Sequence, residues 1–241
     1  MIRRCLMPIA AALLVFPMAG CTAPPAEDDT KPATPGSSAP PTPSGVAGGP
    51  AQGGLSLAAA VARIQNGAEK RDGYERDSFK HWVDDDGDGC HTRAEVLITE
   101  ATTKPGQGER CALSGGVWRS YYDNIEVTDA RTLDIDHMVP LAEAWDSGAH
   151  DWTPERRQAY ANDLGAEPSL VAVTAKSNRS KSDKDPAQWL PPAGAAHCRY
   201  AADWTATKLR WKLTADEKER AALLKLANTC PDTAVEYETA P

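Results

Sequence analysis

The stretch Leu133-Asp134-Ile135-Asp136-His137-Met138-Val139-Pro140 decides the fold of this 241-residue chain. Apolar and polar side chains alternate along it, which predicts a β-strand. The alternation places Asp134 and Asp136 on one face of the strand. The apolar residues Leu133 and Ile135 lie on the other face, together with His137. Pro140 ends the strand because it has no backbone N–H to donate. A carboxylate and an imidazole therefore arrive side by side at the end of a strand.

A second polar segment, Asn178-Arg179-Ser180-Lys181, begins forty-one residues after His137. The apolar run Leu170-Val171-Ala172-Val173-Thr174 just before it predicts a buried strand. Hydrolysis of a phosphodiester needs a base that deprotonates water and a cation that neutralises charge on the phosphoryl oxygens. The two polar segments together contain groups suited to both tasks.

Each of these side chains suits one role in that chemistry. His137 can be the general base, because imidazole titrates near neutrality. Asp136 offers a hard oxygen ligand for Mg²⁺ or Mn²⁺, and Asn178 can add a neutral oxygen to the ion or orient the histidine. Arg179 and Lys181 can hold the scissile or an adjacent phosphate. The sequence therefore predicts His137, Asn178 and Lys181 as catalytic residues, with Asp136 and Asn178 on the metal.

The wider pattern resembles the HNH, or His-Me finger, endonucleases. Asp-Ile-Asp-His-Met-Val-Pro-Leu-Ala-Glu-Ala-Trp at 134–145 and Asn-Arg-Ser-Lys-x-Asp-x-Asp-Pro-Ala-x-Trp-Leu-Pro-Pro at 178–192 carry the resemblance. They look like the secreted branch that shares its nuclease domain with the C-terminal region of GmrSD-type restriction enzymes. Segments at 82–97 and 198–200 also look like that group, so the resemblance covers nearly all of residues 74–230.

This resemblance implies an α+β fold in which a ββα-metal core is embedded in a mostly helical single domain. It implies that His137 is the general base, Asp136 a metal ligand and Asn178 the asparagine of the motif. The spacing from His137 to Asn178 is longer than in compact HNH modules. A helix from Thr153 to Leu164, inserted between the two strands, explains the extra length.

The final histidine of the HNH pattern is absent, so the third metal ligand stays open. Asp183, Asp185 and Lys181 stand near its place. Asp185 precedes Pro186 and is at least as well explained as a helix N-cap. Glu143, on the turn after the first strand, fits a metal ligand and a solvated or supporting position equally well.

The remaining elements follow from capping residues and apolar spacing. The sequence predicts helices over 55–70, 93–100, 141–145, 153–164, 185–192 and 198–212, a last helix behind a capping box at Thr214, and strands over 115–127, 132–139 and 170–174. No internal repeat is visible in the sequence, so one domain over 55–241 is the simplest organisation.

An acidic segment from Asp84 to Glu95 fits the EF-hand loop, Asp-x-Asp-x-Asp-Gly followed by five residues and Glu. Asp84, Asp86 and Asp88 would supply side-chain ligands to Ca²⁺, Cys90 a backbone carbonyl and Glu95 a bidentate carboxylate. An acidic glycine turn without an ion is the alternative, because an incoming helix is short or missing. A bound Ca²⁺ would stabilise the fold and take no part in catalysis.

The folded part of the chain contains four cysteines, Cys90, Cys111, Cys198 and Cys230. An even set in an exported protein indicates disulfides. Of the three possible pairings we favour the two local ones, Cys90 with Cys111 and Cys198 with Cys230. A zinc site is the alternative, but no Cys-x-x-Cys spacing occurs in the sequence.

The N-terminal part of the chain has the features of an export signal and a tether. Met1-Ile2-Arg3-Arg4 supplies a positive start, and an apolar stretch over 6–18 is too short and too interrupted by proline for a stable membrane span. Cys21, after a small-residue pair, resembles the cysteine of a bacterial lipobox. That resemblance implies a signal peptide over 1–20 and a lipid on Cys21, with an ordinary signal peptide as the alternative. Residues 22–54, rich in Pro, Gly and Ser, predict a disordered linker.

Charge is unevenly distributed along the chain. The 26 basic and 34 acidic residues give a net charge of −8, which loss of Arg3 and Arg4 with the signal peptide would take to −10. This total does not favour nucleic acid. Basic residues concentrate between Arg156 and Lys212, however, whereas acidic residues crowd 69–100 and the C-terminal end.

Two functions from different classes follow from these features. The first is an extracytoplasmic, metal-dependent endonuclease that hydrolyses DNA without strong sequence specificity, secreted or held by its lipid on the outer face of the cell membrane. No protein partner is evident from the sequence. The alternative is a noncatalytic Ca²⁺-binding surface lipoprotein that retains the nuclease fold. The negative net charge, the EF-hand-like loop and the missing final histidine favour it.

Overall fold

A computed structural model describes residues 54–241 of the chain. The predicted signal peptide over 1–20, the lipobox Cys21 and the linker up to residue 53 lie outside the described residues, so these assignments stay predictions. Within 54–241, no helix combines the length and the apolar character needed to cross a membrane.

Helices and short antiparallel strand pairs make up residues 54–241, which confirms the α+β class. The seven α-helices of this part are α1 (Leu57–Val61), α2 (Thr92–Glu100), α3 (Leu141–Asp146), α4 (Pro154–Ala161), α5 (Ala175–Lys181), α6 (His197–Trp211) and α7 (Glu217–Thr229). Its eight strands are β1 (Leu55–Ser56), β2 (Gly106–Gln107), β3 (Leu113–Ser114), β4 (Trp118–Ser120), β5 (Ile125–Val127), β6 (Leu133–His137), β7 (Leu170–Thr174) and β8 (Ala234–Val235). They pair as β1 with β8, β2 with β3, β4 with β5 and β6 with β7.

The strand pair β6–β7 is matched along its whole length, from Leu133 opposite Thr174 to His137 opposite Leu170. Leu133 and Ile135 lie on its apolar face and pack in a cluster with residues of α2, β4 and β5. This face is the one that the alternation of the sequence predicted. Burial of the apolar side chains therefore fixes which face of β6 carries the carboxylates.

The opposite face of β6 carries Asp134 and Asp136 and meets α5. That helix follows β7 directly, because the hydroxyl of Thr174 at the end of the strand accepts a hydrogen bond from the backbone N–H of Ser177 and caps the helix. The order strand, strand, helix thus brings the polar face of β6 against α5.

A larger apolar cluster contains residues of α1, α3, α4, α6 and α7 together with the inner face of β7. Its largest members are aromatic side chains that are almost fully buried, namely Phe79, Tyr122, Tyr160, Tyr200, Trp204 and Trp211. Aromatic side chains bury large apolar areas, so this cluster provides much of the hydrophobic stabilisation of the fold.

A buried lysine connects three of these helices. Lys208 on α6 donates hydrogen bonds to Glu143 of α3 (2.8 Å), to Glu219 of α7 (3.0 Å) and to the hydroxyl of Ser147 (2.6 Å). Partners on all sides offset the cost of removing these charges from water. The network fixes α3, which follows β6 after a short turn, against α6 and α7.

The helix predicted over 55–70 is much shorter, because α1 ends at Val61. Beyond it, Gln65 and Gly67 exchange backbone hydrogen bonds with Ala215. Gly67 packs against Thr214 so closely that a Cβ would come within 2.4 Å of the threonine hydroxyl. This tertiary contact overrides the helical spacing of the local sequence.

Two further predictions of local structure were wrong. Residues 115–127 form the hairpin β4–β5 and not one strand, because Asn124 adopts a left-handed backbone (φ 57°) at the turn. Asp216, and not Thr214, caps α7. The hydroxyl of Thr214 donates instead to the carbonyl of Ser147.

Both predicted disulfides are present, Cys90 with Cys111 and Cys198 with Cys230. The first joins the loop before α2 to the turn before β3, and the second joins the start of α6 to the end of α7. They use all the cysteines of residues 54–241, which leaves no thiol there for a zinc site.

Glu100, at the end of α2, generates a prediction about stability. Its carboxylate accepts a hydrogen bond from the backbone N–H of Ala172 in β7 (2.9 Å), and burial raises its pKa to about 7. In the unfolded chain the carboxyl ionises near its ordinary pKa, so between these two values the folded protein binds the proton and the unfolded chain does not. The free energy of unfolding should therefore fall as the pH rises through this window.

We expect Glu100→Gln to remove about 1–3 kcal/mol of that fall, measured by urea unfolding at pH 5 and pH 8. Glu126→Gln, at an exposed glutamate, is the matched control and should retain the wild-type slope. Equal slopes for Glu100→Gln and wild type would contradict the burial of this carboxyl.

Candidate active site

A cleft of about 300 Å³ opens at the end of β6, beside α5. Its lining comes from the end of β6, the start of α3, the middle of α5 with the two residues that follow this helix, and a short helical turn at Arg76. Six lining residues carry a charge, an imidazole or an amide: Arg76, Asp136, His137, Asn178, Arg179 and Asp183. Four of these are residues that the sequence predicted to act together.

His137 is buried at this end of β6 and hydrogen-bonds through Nε2 to the carbonyl oxygen of Ala161 in α4 (3.0 Å). A carbonyl can only accept, so Nε2 carries the proton and Nδ1 keeps a free lone pair. Burial lowers the pKa of His137 to about 3, although the hydrogen bond to Ala161 opposes this shift. The imidazole is therefore neutral at neutral pH and can accept a proton, but burial has moved its pKa away from the near-neutral value that the sequence predicted.

Asp136 is buried next to His137, and one of its carboxylate oxygens is fully engaged. Its Oδ2 accepts hydrogen bonds from the hydroxyl of Tyr122 (2.7 Å) and from Nζ of Lys181 (2.7 Å). Burial raises the pKa of Asp136, and the charge of Lys181 opposes that rise. No donor from residues 54–241 reaches Oδ1, so this oxygen is the one available to a ligand in the cleft.

The position of Lys181 does not fit its predicted contact with phosphate or a direct part in catalysis. Its side chain is fully buried, and Nζ donates to Asp136 and to the backbone carbonyl of His137 (3.0 Å). Burial lowers the pKa of Lys181, against the attraction of Asp136. Lys181 is thus an internal counterion that fixes α5 to the end of β6.

Asn178 and Arg179 on α5 both contact the carboxylate of Asp134 on β6. The amide Nδ2 of Asn178 donates to Oδ2 of Asp134 (3.2 Å), and Nε of Arg179 lies 3.7 Å from the same oxygen. A carboxylate can only accept, so this contact orients the amide and leaves its carbonyl oxygen free. Arg179 is 77% exposed, which agrees with a role in contacting a bound phosphate.

Asp185 and Glu143, two candidates for a further metal ligand, lie outside the cleft lining. The Oδ1 atom of Asp185 accepts from the backbone N–H groups of Ala187 and Gln188, so Asp185 caps a turn. This turn replaces the helix predicted over 185–192. Glu143 is buried in the ion pair with Lys208. Neither carboxylate lines the cleft beside Asp136. Backbone N–H groups hold Asp185, and the buried Lys208 holds Glu143.

Asp183 is the carboxylate near the C-terminal end of α5 that does line the cleft. It is half exposed and lies 3.4 Å from the guanidinium of Arg71. The sequence left the third ligand open among three residues. Of these, Asp183 alone contributes to the cleft lining.

The donor set of the cleft fits a hard divalent cation. It contains a free carboxylate oxygen on Asp136, a free amide oxygen on Asn178 and a further carboxylate on Asp183, and all three residues line the cleft. Oxygen ligands of this kind suit Mg²⁺ or Mn²⁺, which keep several waters and bind through few protein groups. These residues would hold such an ion.

Local sequence reasoning missed Arg76, Tyr122 and Ala161 as parts of this site. Arg76 lies in a short helical turn and, like Arg179, lines the cleft. Tyr122 was assigned only to the predicted strand over 115–127, and Ala161 acts through its backbone carbonyl, which no side-chain pattern reveals. Long-range packing brings all three to the cleft, so no motif spacing could have identified them.

The acidic loop lies apart from this cleft lining. The carboxylates of Asp84, Asp86 and Asp88 come within 4.8 Å of one another and are exposed. Gly89 adopts the left-handed backbone (φ 93°) expected for the sharp turn of the loop. Burial, together with the nearby aspartates, raises the pKa of Glu95. The three side-chain ligands predicted for Ca²⁺ thus lie close together. Glu95 is near enough for their negative charges to raise its pKa.

Comparison with known proteins gives one family and one close relative. The family model of GmrSD restriction endonucleases, C-terminal domain, matches residues 93–226. An "Uncharacterized secreted protein" of Arthroderma benhamiae is 42% identical over 160 residues, which cover 66% of this chain and 77% of the relative. No solved structure matches the chain.

The buried pair of Lys181 and Asp136 generates a prediction. Lys181→Met leaves a buried carboxylate without its counterion, so we expect a loss of about 3–5 kcal/mol in the free energy of unfolding, measured with urea. Asp136→Asn combined with Lys181→Met should recover much of that loss, because it removes the unpaired charge. Arg179→Met is the matched control and should cost little, since its ion pair is exposed. Equal effects of the two methionine variants would contradict a buried pair.

Proposed function

We propose a nuclease function on one premise: the chain belongs to the family of the GmrSD restriction endonuclease C-terminal domains. Within that family we assign it a metal-dependent endonuclease activity of the HNH type that hydrolyses DNA. The observation that carries this proposal is the cleft in which Asp136 and His137, at the end of β6, face Asn178 on α5.

The arrangement of elements around the cleft supports the HNH assignment. The order β6, β7, α5 is the strand, strand, helix order of a ββα-metal unit. His137 and Asp136 stand at the end of the first strand, and Asn178 lies on the helix. The insertion of α3 and α4 between the strands accounts for the long spacing.

The reaction is the attack of a water oxygen on phosphorus with cleavage of one phosphorus–oxygen ester bond. Nδ1 of His137 takes the proton of the attacking water, because its Nε2 is committed to Ala161 and the ring is neutral. Asp136 and Asn178 would hold the divalent ion, which when bound supplies positive charge to the phosphoryl and leaving oxygens. The ester oxygen leaves with a proton from solvent.

Phosphate binding falls to two arginines in this proposal. Arg76 and Arg179 both line the cleft and come from different parts of the chain. A guanidinium can donate two parallel hydrogen bonds to one phosphate. We therefore assign to Arg76 the part that the sequence gave to Lys181.

The proposed location is extracytoplasmic. Two disulfides form readily only in an oxidising compartment, and the relative in Arthroderma benhamiae is named a secreted protein. The lipid on Cys21 remains a prediction from the N-terminal sequence. We propose no strong sequence preference, because residues 54–241 form no helix-turn-helix or zinc finger that would read bases.

Plasmid degradation by the purified chain tests the nuclease proposal. We expect cleavage of supercoiled DNA with Mg²⁺ or Mn²⁺ and none with EDTA. His137→Ala should lower kcat by about 10²–10⁴-fold, since it removes the general base. Arg76→Ala and Arg179→Ala should act mainly on KM, because they remove phosphate contacts.

Arg131→Ala, at an exposed arginine outside the cleft lining, is the control and should cleave at the wild-type rate. Absence of metal-dependent cleavage, or undiminished cleavage by His137→Ala, would refute the catalytic assignment. The noncatalytic Ca²⁺-binding alternative would then be favoured.

We further propose that the acidic loop holds a structural Ca²⁺. Three converging carboxylates with Glu95 nearby support this. Millimolar Ca²⁺ should raise the Tm by about 5 °C, because a ligand that binds only the folded state stabilises it. Mg²⁺ should raise it less.

Asp84→Asn combined with Asp88→Asn should abolish the Ca²⁺ effect. Asp232→Asn combined with Glu236→Gln removes the same charge from exposed positions elsewhere and should leave the effect unchanged. A Tm that does not respond to Ca²⁺ would support the acidic turn without an ion.

A further inference from the structure

The imidazole of His137 is flanked by aromatic rings that the proposed chemistry does not use. The ring of Trp82 lies nearly parallel to it, at 25° and 5.5 Å between centroids. The ring of Tyr160 is also nearly parallel, at 20° and 6.3 Å, and His81 meets the imidazole edge-on at 6.3 Å. We call the Trp82 and Tyr160 rings the aromatic slot.

Trp82 adopts a backbone conformation that a bulky residue rarely takes. Its φ of 62° lies in the left-handed region, where a side chain with a Cβ is strained. Hydrogen bonds on both sides hold the segment in place. The ring of His81 bonds to the carbonyl of Phe79 (2.8 Å), and the N–H of Val83 donates to the side chain of Asn162 (3.1 Å).

Asn162 couples this segment to the other wall of the slot. Its amide also donates to the carbonyl of Lys80 (2.8 Å), so both sides of Trp82 are tied to the residue that follows α4. Tyr160 and Ala161 are the last two residues of α4. Three consecutive residues therefore act on His137 or its neighbours. Tyr160 is one ring of the slot, Ala161 supplies the carbonyl that binds Nε2, and Asn162 anchors the segment that carries Trp82.

A hydrogen bond at Nε2 and the covalent link at Cβ leave the imidazole free to tilt about the line between them. Rings stacked nearly parallel to the imidazole restrict that tilt through direct contact. The direction of the Nδ1 lone pair depends on the same tilt. Small errors in the position of a reacting group cost large factors in rate.

We propose that Trp82 is a positioning residue which, with Tyr160, holds the plane of the His137 imidazole and so aims Nδ1 at the attacking water. The inference rests on the proposed function for its effect on rate. The slot itself is a property of the fold and is measurable without catalysis. Trp82 is only half-buried, so it is not a core residue in the way that Trp118 or Trp204 is.

Binding of imidazole to a His137→Gly variant tests the slot without any activity. Removing the side chain vacates the position of a ring that lies nearly parallel to Trp82 and Tyr160 and next to the carbonyl of Ala161. We expect an NMR titration to show saturable imidazole binding to His137→Gly. Adding Trp82→Asn should weaken that binding by about 3- to 10-fold, since one stacking face is lost.

Asparagine suits this test because it tolerates a positive φ better than other residues with a side chain. Trp82→Phe, which keeps an aromatic face, should bind imidazole nearly as well as the tryptophan parent. If the asparagine variant fails to fold, Trp82→Gly removes the ring at a residue that has no strain at this φ. Imidazole binding that is independent of residue 82 would overturn the slot.

Kinetics of the single variants test the positioning role. Trp82→Asn should lower kcat by about 10- to 100-fold with KM nearly unchanged, and Trp82→Phe should restore most of the loss. Imidazole should partly restore cleavage by His137→Gly, and less so when Trp82→Asn is added. The positioning role would be overturned if Trp82→Asn lowered kcat and raised KM by similar factors. It would also be overturned if Trp82→Phe restored none of the lost kcat.

Trp145→Asn is the matched control, because Trp145 is a half-buried tryptophan that makes edge-to-face contacts with Tyr74 and Phe79 and lies outside the slot. Its kcat per folded molecule should equal that of wild type. The two failures are distinguishable. Imidazole binding that depends on Trp82 in a protein that cleaves nothing would refute the nuclease proposal alone. Active enzyme with unaltered kcat in Trp82→Asn would refute the positioning role alone.

Discussion

The buried pair of Asp136 and Lys181 is the interaction on which the geometry of the cleft depends. It joins the first strand of the β6–β7 pair to the last residue of α5, at a distance of 2.7 Å and with almost no exposure to solvent. Two isolated charges would not remain there, so each requires the other. Tyr122 takes the remaining bonding capacity of the same carboxylate oxygen. The pair thus fixes α5 against β6 and leaves the other oxygen of Asp136, a residue of the cleft lining, without a hydrogen-bond donor from residues 54–241.

The position of the other groups follows from that placement of α5. Asn178 lies one helical turn before Lys181 and therefore faces the same strand, where it meets Asp134. Arg179, its neighbour, projects into solvent at the rim of the cleft. The segment between the strands is equally necessary. It supplies the carbonyl of Ala161 that sets the tautomer of His137, and Tyr160, one of the two rings that flank the imidazole.

The charge at the cleft differs from the net charge of the chain, because charged residues are distributed unevenly. The net charge of the chain is −8, yet Arg76 and Arg179 line the cleft. Many of the acidic side chains are engaged elsewhere: Glu143 and Glu219 pair with Lys208, and Asp163 pairs with Arg210.

The two disulfides and a relative named as a secreted protein both point to an oxidising compartment.

The sequence by itself determined the elements whose cause is local. The alternation in β6 fixed which face is apolar, Thr153 and Pro154 set the start of α4, and the run Leu170–Thr174 formed the strand that it predicted. It also grouped Asp136, His137 and Asn178 by residue type and order, and all three line one cleft. Only the tertiary structure decided that Lys181 is a counterion, that Glu143 and Asp185 are held elsewhere, and that Arg76 and Trp82 lie near His137. The physical reason is that burial and hydrogen-bond partners assign a polar side chain its role, and these depend on residues distant in the chain.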